Sequence, residues 1–451
     1  MGFIGGLKPL FKTAAKNGIE HAHSYLCGLM QTTSPRGKNI ERMEEAVPEL
    51  DYQGVQQFIA DSPWDWRPVM AQAGDGVDAL LGGHSGSQLI IDESAFGKKG
   101  IKSVGVARQY SGRLGKIDNC QVAVFAALGC GDRASLIGAR LYLPEEWCND
   151  PERCRKAGIP EEDRSFKTKA QLALELVREQ RELGVRFEWI SIDAGYGKEP
   201  AFLRALDDME EKFVADVHRT QRIWAENPWP EVPLPSKHGR VAKRLQAVGK
   251  PVTVAAWAAE QPTEAWRPMV LREGAKGEMR FEFLHSRVYL WDREEEIPRL
   301  WHLIVRRSFD AQGQSHDISY ILSNAPADTQ PTRLVAQACG RHFIERSFQD
   351  AKGQLGLADY QVRGWRGWHH HVAMVMLAMF FQLRERMLHT EEAPLLSCAD
   401  VVELLVHFLP RRAVTQEEVL RQLQHRHRKR HDAIESAKRC QAPKEAFHED
   451  I

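Results

Sequence analysis

The sequence has few cysteines, and none of them are paired in a metal-binding motif. Eight cysteines are scattered through 451 residues, and no C-x-x-C motif is present. Structural zinc sites usually need such pairs, so we expect none here. Cys148 and Cys154 are close enough in the chain to form a disulfide, but reduced thiols of a cytosolic protein are the better expectation.

Long apolar runs are also missing. The first residues, MGFIGGLKPLFK, contain no apolar core of the length that a secretory signal needs. The most apolar run is HVAMVMLAMFFQL (371–383), which is shorter than the roughly 20 residues of a membrane-spanning helix. This run predicts a buried helix, and we expect a soluble, cytoplasmic protein without a membrane partner.

Neither sign of charge is in excess. The chain carries 61 basic and 61 acidic residues, so its formal net charge is zero. This balance excludes a uniformly basic coat for nucleic acid, but it leaves room for a local basic groove. The length exceeds that of one ordinary domain, and two or three domains are expected.

The pattern of apolar, glycine and proline residues predicts an α/β protein with five segments. Between 86 and 217, three strands are followed by helix, strand, helix and strand, an order that fits a mixed sheet with helices on its faces. The predicted segments are a helical N-terminal domain (1–85), a first core part (86–217), a β-rich insertion (218–316), a second core part (317–393) and a basic helical tail (394–451).

Two acids follow predicted strands of the core. Asp92 comes after the apolar stretch of SQLIID, and Asp193 occupies the same place in ISIDAGYG. Strand-end residues of an α/β sheet can meet at one edge, where ligands tend to bind. Carboxylates held together repel each other unless a divalent cation lies between them, and Mg²⁺ prefers oxygen ligands. The two acids therefore predict a metal site.

A third acid is predicted on the helix GRHFIERSFQDAKGQLGL (340–357). At about 100° per residue, Arg341, Glu345 and Lys352 form one stripe, separate from the apolar face. Glu345 is placed to reach the metals, while Lys352 is placed to hold a phosphate. Arg341 is expected either to orient Glu345 or to bind a neighbouring phosphate.

Each acid also has an ordinary interpretation when it is taken alone. A strand-end aspartate usually caps a turn or pairs with a lysine, and an Arg–Glu pair four residues apart is usually a surface salt bridge. The joint pattern is much less common by chance, since it combines two strand-end acids with an acid on a helix that has basic partners. We therefore favour the metal site.

These residues resemble those of bacterial insertion-sequence transposases of the DDE class, which have an RNase H-like core. Arg341, Glu345 and Lys352 match the R-x3-E-x6-K part of the motif Y-x2-R-x3-E-x6-K, whereas Ala338 stands at the tyrosine position. The resemblance covers roughly residues 30–390, including DESAFGKKGIKSVGVARQYSGRLGKIDNCQ and FIERSFQDAKGQLGLADYQVRGWRGWHHH. It implies an RNase H-like mixed sheet flanked by helices and split by the β-rich insertion.

The resemblance also implies the chemistry. Asp92, Asp193 and Glu345 would bind two Mg²⁺ ions, with Mn²⁺ as a substitute, to cleave the transposon end and to join its 3′-hydroxyl to target DNA. The implied partners are double-stranded DNA, comprising terminal inverted repeats and target, and a second copy in a homodimer on DNA near the nucleoid. In relatives with the insertion, a flipped base stacks on a tryptophan during hairpin formation. Trp291 and Trp301 are the candidates, although packing in the core is the commoner role for each.

Further DNA contacts are predicted on both sides of the acids. The stretch VGVARQYSGRLGKIDNCQ (104–121), which follows Asp92, could touch the DNA backbone, although it could equally be an ordinary polar hairpin. The stretch RGWRGWHHH (363–371) combines arginines with aromatics, as single-strand-binding surfaces do. The alternative is that it begins a helix whose tryptophans pack in the protein core. The residues predicted to bind DNA are Arg341, Lys352, Arg108, Arg113, Lys116, Arg363, Trp365 and Trp368.

Two other functions remain open on the sequence alone. A transposase-derived DNA-binding protein would bind ends without needing the acids, and an RNase H-like nuclease would cut DNA without strand transfer. Intact acids at all three positions argue against the first alternative. The long insertion and the Arg–Glu–Lys stripe argue against the second.

Overall fold

A computed structural model describes most of the chain. The described residues are 2–13, 17–34, 37–112, 115–233, 243–274, 277–293, 295–309 and 315–441. The helices are α1 (Gly2–Gly5), α2 (Ile19–Gln31), α3 (Ile40–Ala46), α4 (Tyr52–Ala60), α5 (Trp66–Leu81), α6 (Glu145–Cys148), α7 (Pro151–Lys156), α8 (Lys169–Glu182), α9 (Ala194–Gly197), α10 (Pro200–Asp208), α11 (Val254–Ala259), α12 (Pro331–Gly340), α13 (His342–Gln354), α14 (Trp365–Leu388), α15 (Cys398–Phe408) and α16 (Gln416–Gln441).

The strands are distributed over the middle of the chain. They are β1 (Gln88–Gly97), β2 (Ala107–Ser111), β3 (Lys116–Cys130), β4 (Arg133–Leu141), β5 (Trp189–Ile192), β6 (Phe213–Val217), β7 (Arg222–Ile223), β8 (Val252–Thr253), β9 (Arg267–Gly274), β10 (Gly277–Leu290), β11 (Arg299–Phe309) and β12 (Ser315–Ser323). Short 3₁₀ turns lie at Lys8–Phe11, Glu161–Asp163 and Thr263–Ala265.

Local sequence explains where several elements begin and turn. The Asn39 side chain accepts a hydrogen bond from the Arg42 amide at 3.1 Å, so it caps α3. Thr168 and Gln171 form a reciprocal capping box at the start of α8. Strands β3 and β4 form a hairpin, and Gly131 at its turn has a φ of 62°, which favours glycine.

The central strands form a mixed sheet whose middle strands are parallel. Their order is β4–β3–β1–β5–β6, with β3 antiparallel to β1 and with β1, β5 and β6 mutually parallel. The predicted fold class, a mixed sheet flanked by helices, is therefore confirmed. Strand β12 pairs antiparallel with β6 and is followed by β11, β10 and β9, so the strands of the 218–316 segment extend the same sheet.

Helices cover both faces of this sheet. One face packs against α13, α14 and the N-terminal helices in a single apolar core, while the other packs against α8 and α10. Helix α14 carries the most apolar run of the sequence, and most of that run is buried, as predicted. Among the residues that the structure describes, no helix combines the length and apolarity needed to cross a membrane.

One expected helix is divided in two. The sequence predicts a single long helix over 328–356, but the structure has α12 and α13 with a turn at Arg341. The apolar residues Leu334 and Val335 of α12 pack beside β6, whereas Ile344 of α13 packs over β1 and β3. The turn therefore lets each half follow a different part of the twisted sheet.

Candidate active site

The sheet brings Asp92 and Asp193 to neighbouring positions. Strands β1 and β5 pair in parallel up to Ile91 and Ile192, and each acid is the next residue. The sequence predicts that the strand ends at Asp92, but β1 continues to Gly97 along its antiparallel partner β3. What ends at this point is β5, so the edge beside Asp92 is left open for side chains.

The Asp193 carboxylate is held by the backbone that follows it. It accepts hydrogen bonds from the amides of Gly195 at 3.0 Å and Tyr196 at 3.2 Å, as an N-cap does. These two bonds fix the carboxylate at the end of β5, next to β1. The ordinary capping role and a role in the site are therefore compatible for this residue.

A third strand contributes an acid that the sequence analysis missed. Strand β6 pairs in parallel with β5 up to Ala215, so Asp216 lies one step beyond it, beside Asp193. The sequence FVADVH predicts only a strand when it is taken alone, although its acid follows apolar residues just as Asp92 and Asp193 do. The repeated pattern was the signal that would have found it.

The turn between α12 and α13 brings Glu345 and Arg341 to the same place. The Arg341 side chain lies 3.0 Å from the Asp216 carboxylate, 3.5 Å from that of Glu345 and 3.8 Å from that of Asp92. Glu345 is 51% exposed and also lies 3.4 Å from His342 Nδ1. One arginine thus links acids from β1, β6 and α13.

We define the acid cluster as Asp92, Asp193, Asp216 and Glu345 around Arg341. Burial and the charges of the cluster shift the pKa values of Asp92, Asp216 and Arg341. Burial and the negative charge of Asp193 raise the pKa of Asp92 to about 7, against the opposing effect of Arg341. Burial also raises the pKa of Asp216, again opposed by Arg341. Although burial lowers the pKa of Arg341, the surrounding carboxylates outweigh it and raise that pKa.

The donor set fits a divalent cation by its chemistry. Carboxylate oxygens are the ligands that Mg²⁺ prefers, and a cation relieves the repulsion that raises the pKa of Asp92. Within the described part of the chain, no group of three or more His, Cys, Asp or Glu side chains is arranged to hold an ion. In this conformation the Arg341 guanidinium supplies the positive charge among the acids.

Lys352 lies on α13 close to β1. Its Nζ is 3.4 Å from the carbonyl oxygen of Ala95 and 5.2 Å from the ring centre of Phe96, both on the strand that carries Asp92. The predicted apolar face of this helix is confirmed, since Ile344, Ala351 and Leu355 are buried. Ala338, at the usual tyrosine position, lies one turn before Arg341 and packs against the small core under α12.

The predicted contacts on the β2–β3 hairpin lie apart from the acids. Arg108 and Lys116 are exposed on paired strands, and Arg113 lies outside the described residues. Arg363 is exposed beside Lys102 and Arg153, at a cleft on another part of the surface. The structure does not bring these residues to the acid cluster, so their contact with DNA stays a prediction.

Three of the tryptophans predicted to contact DNA are buried in the protein. Trp368 is 0% exposed and Trp365 is 7% exposed, because both begin α14 inside the main apolar core. Trp301 is 5% exposed and meets the ring of Phe213 edge-on at 5.1 Å. These side chains complete the core, and DNA contact by the first two and base stacking by Trp301 stay predictions.

Trp291 occupies a different position. It is also largely buried, and its indole donates a hydrogen bond to the Glu295 carbonyl at 2.7 Å. Unlike Trp301, it lines a cleft of about 1430 Å³ together with Trp224 and several cations, namely Lys198, Arg222, Lys243, Arg244 and Arg293. Base stacking by Trp291 therefore stays a prediction.

A second cleft adjoins the acid cluster directly. It has a volume of about 610 Å³ and is lined by Asp216 and Arg341 together with the basic residues His218, Arg219 and Arg306. These basic residues come from the end of β6 and from β11, and the sequence analysis missed them because no local motif marks them. Asp216 and Arg341 thus border an opening that is partly lined by basic side chains.

The basic tail is partly neutralised by the N-terminal helices. Arg426 pairs with Glu45 at 2.7 Å, and Lys429 lies 3.8 Å from Glu44. Arg428 and Arg430 are exposed on α16. Only part of the basic run RQLQHRHRKRH (421–431) is therefore presented to solvent.

Comparisons with known proteins identify a family for the chain. A family described as DDE superfamily endonuclease matches residues 8–278, more than half of the chain. The probable transposase for insertion sequence element IS701 of Microchaete diplosiphon is 28% identical over 188 residues, which are 41% of this chain and 46% of that protein. The chain thus spans less than half the length of this curated relative.

Two solved structures are also similar. The piggyBac transposase synaptic complex with hairpin DNA has 12% identity and a TM-score of 0.38, with 90% of this chain and 75% of that chain covered. The NurA nuclease from Sulfolobus solfataricus has 9% identity and a TM-score of 0.23, with 72% of this chain and 92% of that chain covered.

Proposed function

The chain belongs to the DDE superfamily of endonucleases, and from this premise we propose that it is a DNA transposase. It would cleave DNA at transposon ends and join the freed 3′ ends to target DNA. The partial similarity to a probable insertion-sequence transposase supports this choice over a nuclease that only cuts. The proposed substrates are terminal inverted repeats and target DNA, bound by a homodimer.

One observation carries the proposal. Asp92 and Asp193 follow paired residues of adjacent parallel strands, and Arg341 ties Glu345 of α13 to the same edge of the sheet. These three acids are far apart in sequence, and surface salt bridges would not require them to converge. Their convergence beside a basic-lined cleft matches the demands of phosphoryl transfer on DNA.

The side chains have distinct proposed roles. Asp92, Asp193 and Glu345 would hold two Mg²⁺ ions, which when bound supply the charge that activates the attacking oxygen and stabilises the leaving oxygen. The backbone amides of Gly195 and Tyr196 keep Asp193 oriented. Lys352, about two helical turns beyond Glu345, would position a phosphate of the strand that is cut.

The DNA would approach over the cations around the site. Arg219 and Arg306 line the cleft that contains Asp216, and Arg222 and Arg244 line the neighbouring cleft at Trp291. Contacts of this kind bind phosphates without reading sequence. They would explain how a chain with no net charge still binds DNA.

The first prediction is that cleavage requires the acids while DNA binding does not. With end-containing DNA and Mg²⁺, Asp193→Asn and Glu345→Gln should lower the cleavage rate by at least about 100-fold, because each removes a charged metal ligand. Band-shift affinity for the same DNA should change little. Glu93→Gln is the matched control, since Glu93 adjoins Asp92 but pairs with Lys169 at 2.7 Å.

The outcomes separate the proposed function from its alternatives. Equal cleavage by wild type and Asp193→Asn would contradict a role for the acids. Bound DNA that no variant cleaves would indicate a DNA-binding protein. Cleavage without joining of pre-cut ends to a target plasmid would indicate a nuclease.

A further inference from the structure

Arg341 is shared unequally by the acids around it. Its Nε lies 3.0 Å from Asp216, which is hydrogen-bonding distance, whereas its terminal nitrogens are 3.5 Å from Glu345 and 3.8 Å from Asp92. The two longer distances exceed those of good charge-assisted hydrogen bonds. Asp216 is therefore the closest partner of the guanidinium, and the other two acids share its charge at longer range.

The position of Asp216 in the sheet explains this arrangement. The strand order β1–β5–β6 places Asp216 on the far side of Asp193 from Asp92. Arg341 spans the row from its anchor on Asp216 towards Asp92. A guanidinium held only by Asp92 and Glu345 would instead occupy the oxygens that a divalent cation needs.

We propose that Asp216 is a positioning residue that holds Arg341 at the edge of the acid cluster and so leaves Asp92 and Glu345 available to divalent cations. The inference rests on the proposed function, because it assumes that these acids bind metal. A buried guanidinium without a carboxylate partner is strongly disfavoured. Asp216 therefore gives Arg341 a partner that it keeps when a metal ion takes over the other two.

Two simpler roles make different predictions. If Asp216 were a metal ligand or a distant attractive charge, its removal would weaken metal binding whether or not Arg341 is present. If it only stabilised the fold, its removal would lower stability without changing the affinity of the folded protein for metal. A double-mutant cycle with Arg341 distinguishes all three roles.

The test measures Mn²⁺ binding to the full-length protein by calorimetry, without DNA and without turnover. Asp216→Asn should raise the Kd for Mn²⁺ about five-fold or more, because the freed guanidinium moves onto Asp92 and Glu345. Arg341→Gln should bind Mn²⁺ at least as tightly as wild type, since the competing cation is gone. Adding Asp216→Asn to Arg341→Gln should then change the Kd by less than about two-fold.

Asp216→Glu supplies the matched control, because it keeps the charge and should keep the Kd within about three-fold of wild type. An unchanged Kd in Asp216→Asn, or an equal loss of affinity in both backgrounds, would overturn the inference. If Asp216→Asn does not fold, weaker Mn²⁺ binding by Arg341→Gln than by wild type would overturn it as well.

Failure of the proposed function gives a different result. In that case wild type and Asp92→Ala would bind Mn²⁺ equally weakly. Both the proposed metal site and this inference would then be wrong. If wild type shows such binding and Asp216 does not affect it, only the inference falls.

Discussion

Histidines 369–371 illustrate, at the scale of single residues, how burial decides a side chain's role. Three consecutive histidines resemble a metal-binding run, but they point in different directions on α14 and all are buried. His370 lies between the carbonyl oxygens of Ile59 and Trp64, at 3.0 and 2.9 Å, and its ring stacks on Trp64. Each histidine is therefore part of the core that joins α14 to the N-terminal helices.

Acidification should destabilise the protein through these histidines. Burial lowers the pKa of His369 to about 3 and those of His370 and His371 to about 4, below the usual 6.5. The unfolded chain therefore binds more protons, and stability present above pH 6.5 is lost as the pH falls towards 4. Each histidine should contribute a slope of up to about 1.4 kcal/mol per pH unit.

The measurement is the melting temperature between pH 7 and 4. His370→Gln should reduce the pH dependence, whereas His389→Gln, at an exposed position beside Glu392, should not. An equal pH dependence of the melting temperature in wild type and His370→Gln would contradict the argument.

Helix α16 shows, at the scale of elements, how docking divides a charge cluster. The side that faces α3 and α4 places Arg426 beside Glu45 and Lys429 3.5 Å from the ring centre of Tyr52. Arg428 and Arg430 of the same helix are exposed to solvent. Residues that are adjacent in sequence therefore have different availability to an anionic partner.

If the tail binds DNA, its exposed arginines Arg428 and Arg430 should do so. Replacing Arg428 and Arg430 together by glutamine should lower the slope of log Kd against log salt concentration by about 2, because two DNA phosphates would no longer be neutralised by the protein. Arg426→Gln is the matched control and should leave the slope unchanged, because Arg426 is already paired with Glu45. Fluorescence anisotropy on random-sequence duplex DNA gives both slopes. Equal changes of the slope in Arg426→Gln and in the Arg428 and Arg430 double variant would contradict this division.

Ionic contacts join the β-rich segment to the core at the scale of the whole molecule. Arg299 of β11 pairs with Asp207 and with Asp208 at the end of α10, and it lies 3.0 Å from Glu295. Arg204 of α10 pairs in turn with Asp292, beyond β10. Since α10 follows Asp193 closely, this network ties the segment that bears Trp291 to the acid cluster.

Breaking this network should cost more than breaking an exposed pair. Arg299→Met should lower the free energy of unfolding by roughly 1–2 kcal/mol, a value reduced for the partial exposure of its guanidinium. Arg67→Met is the control, because its pair with Asp65 is more than half exposed on both sides and should contribute almost nothing. Urea denaturation measures the free energy of unfolding of both variants. Equal decreases in Arg299→Met and Arg67→Met would contradict a special role for Arg299.

Sequence alone determined most of the elements and the local features around three of the four acids. The β-strand pattern before Asp92 and Asp193, the Asn39 and Thr168 caps and the stripe of Arg341 and Glu345 are local features, visible because they depend on neighbours in the chain. The same logic would have found Asp216, had its strand been compared with the other two. The resemblance to one class of transposases added the fold that joins them.

Only the tertiary structure decided which side chains reach the site and which fill the core. Trp301 and Trp368 look the same in sequence as tryptophans that bind DNA, but burial of a large apolar surface favours the interior. Arg341 was placed among the acids by the pairing of β1, β5 and β6 and by the turn before α13. The pairing of β1 with β5 and the contacts of Arg341 with Asp216 and Asp92 join residues more than 100 positions apart, and no local pattern encodes them.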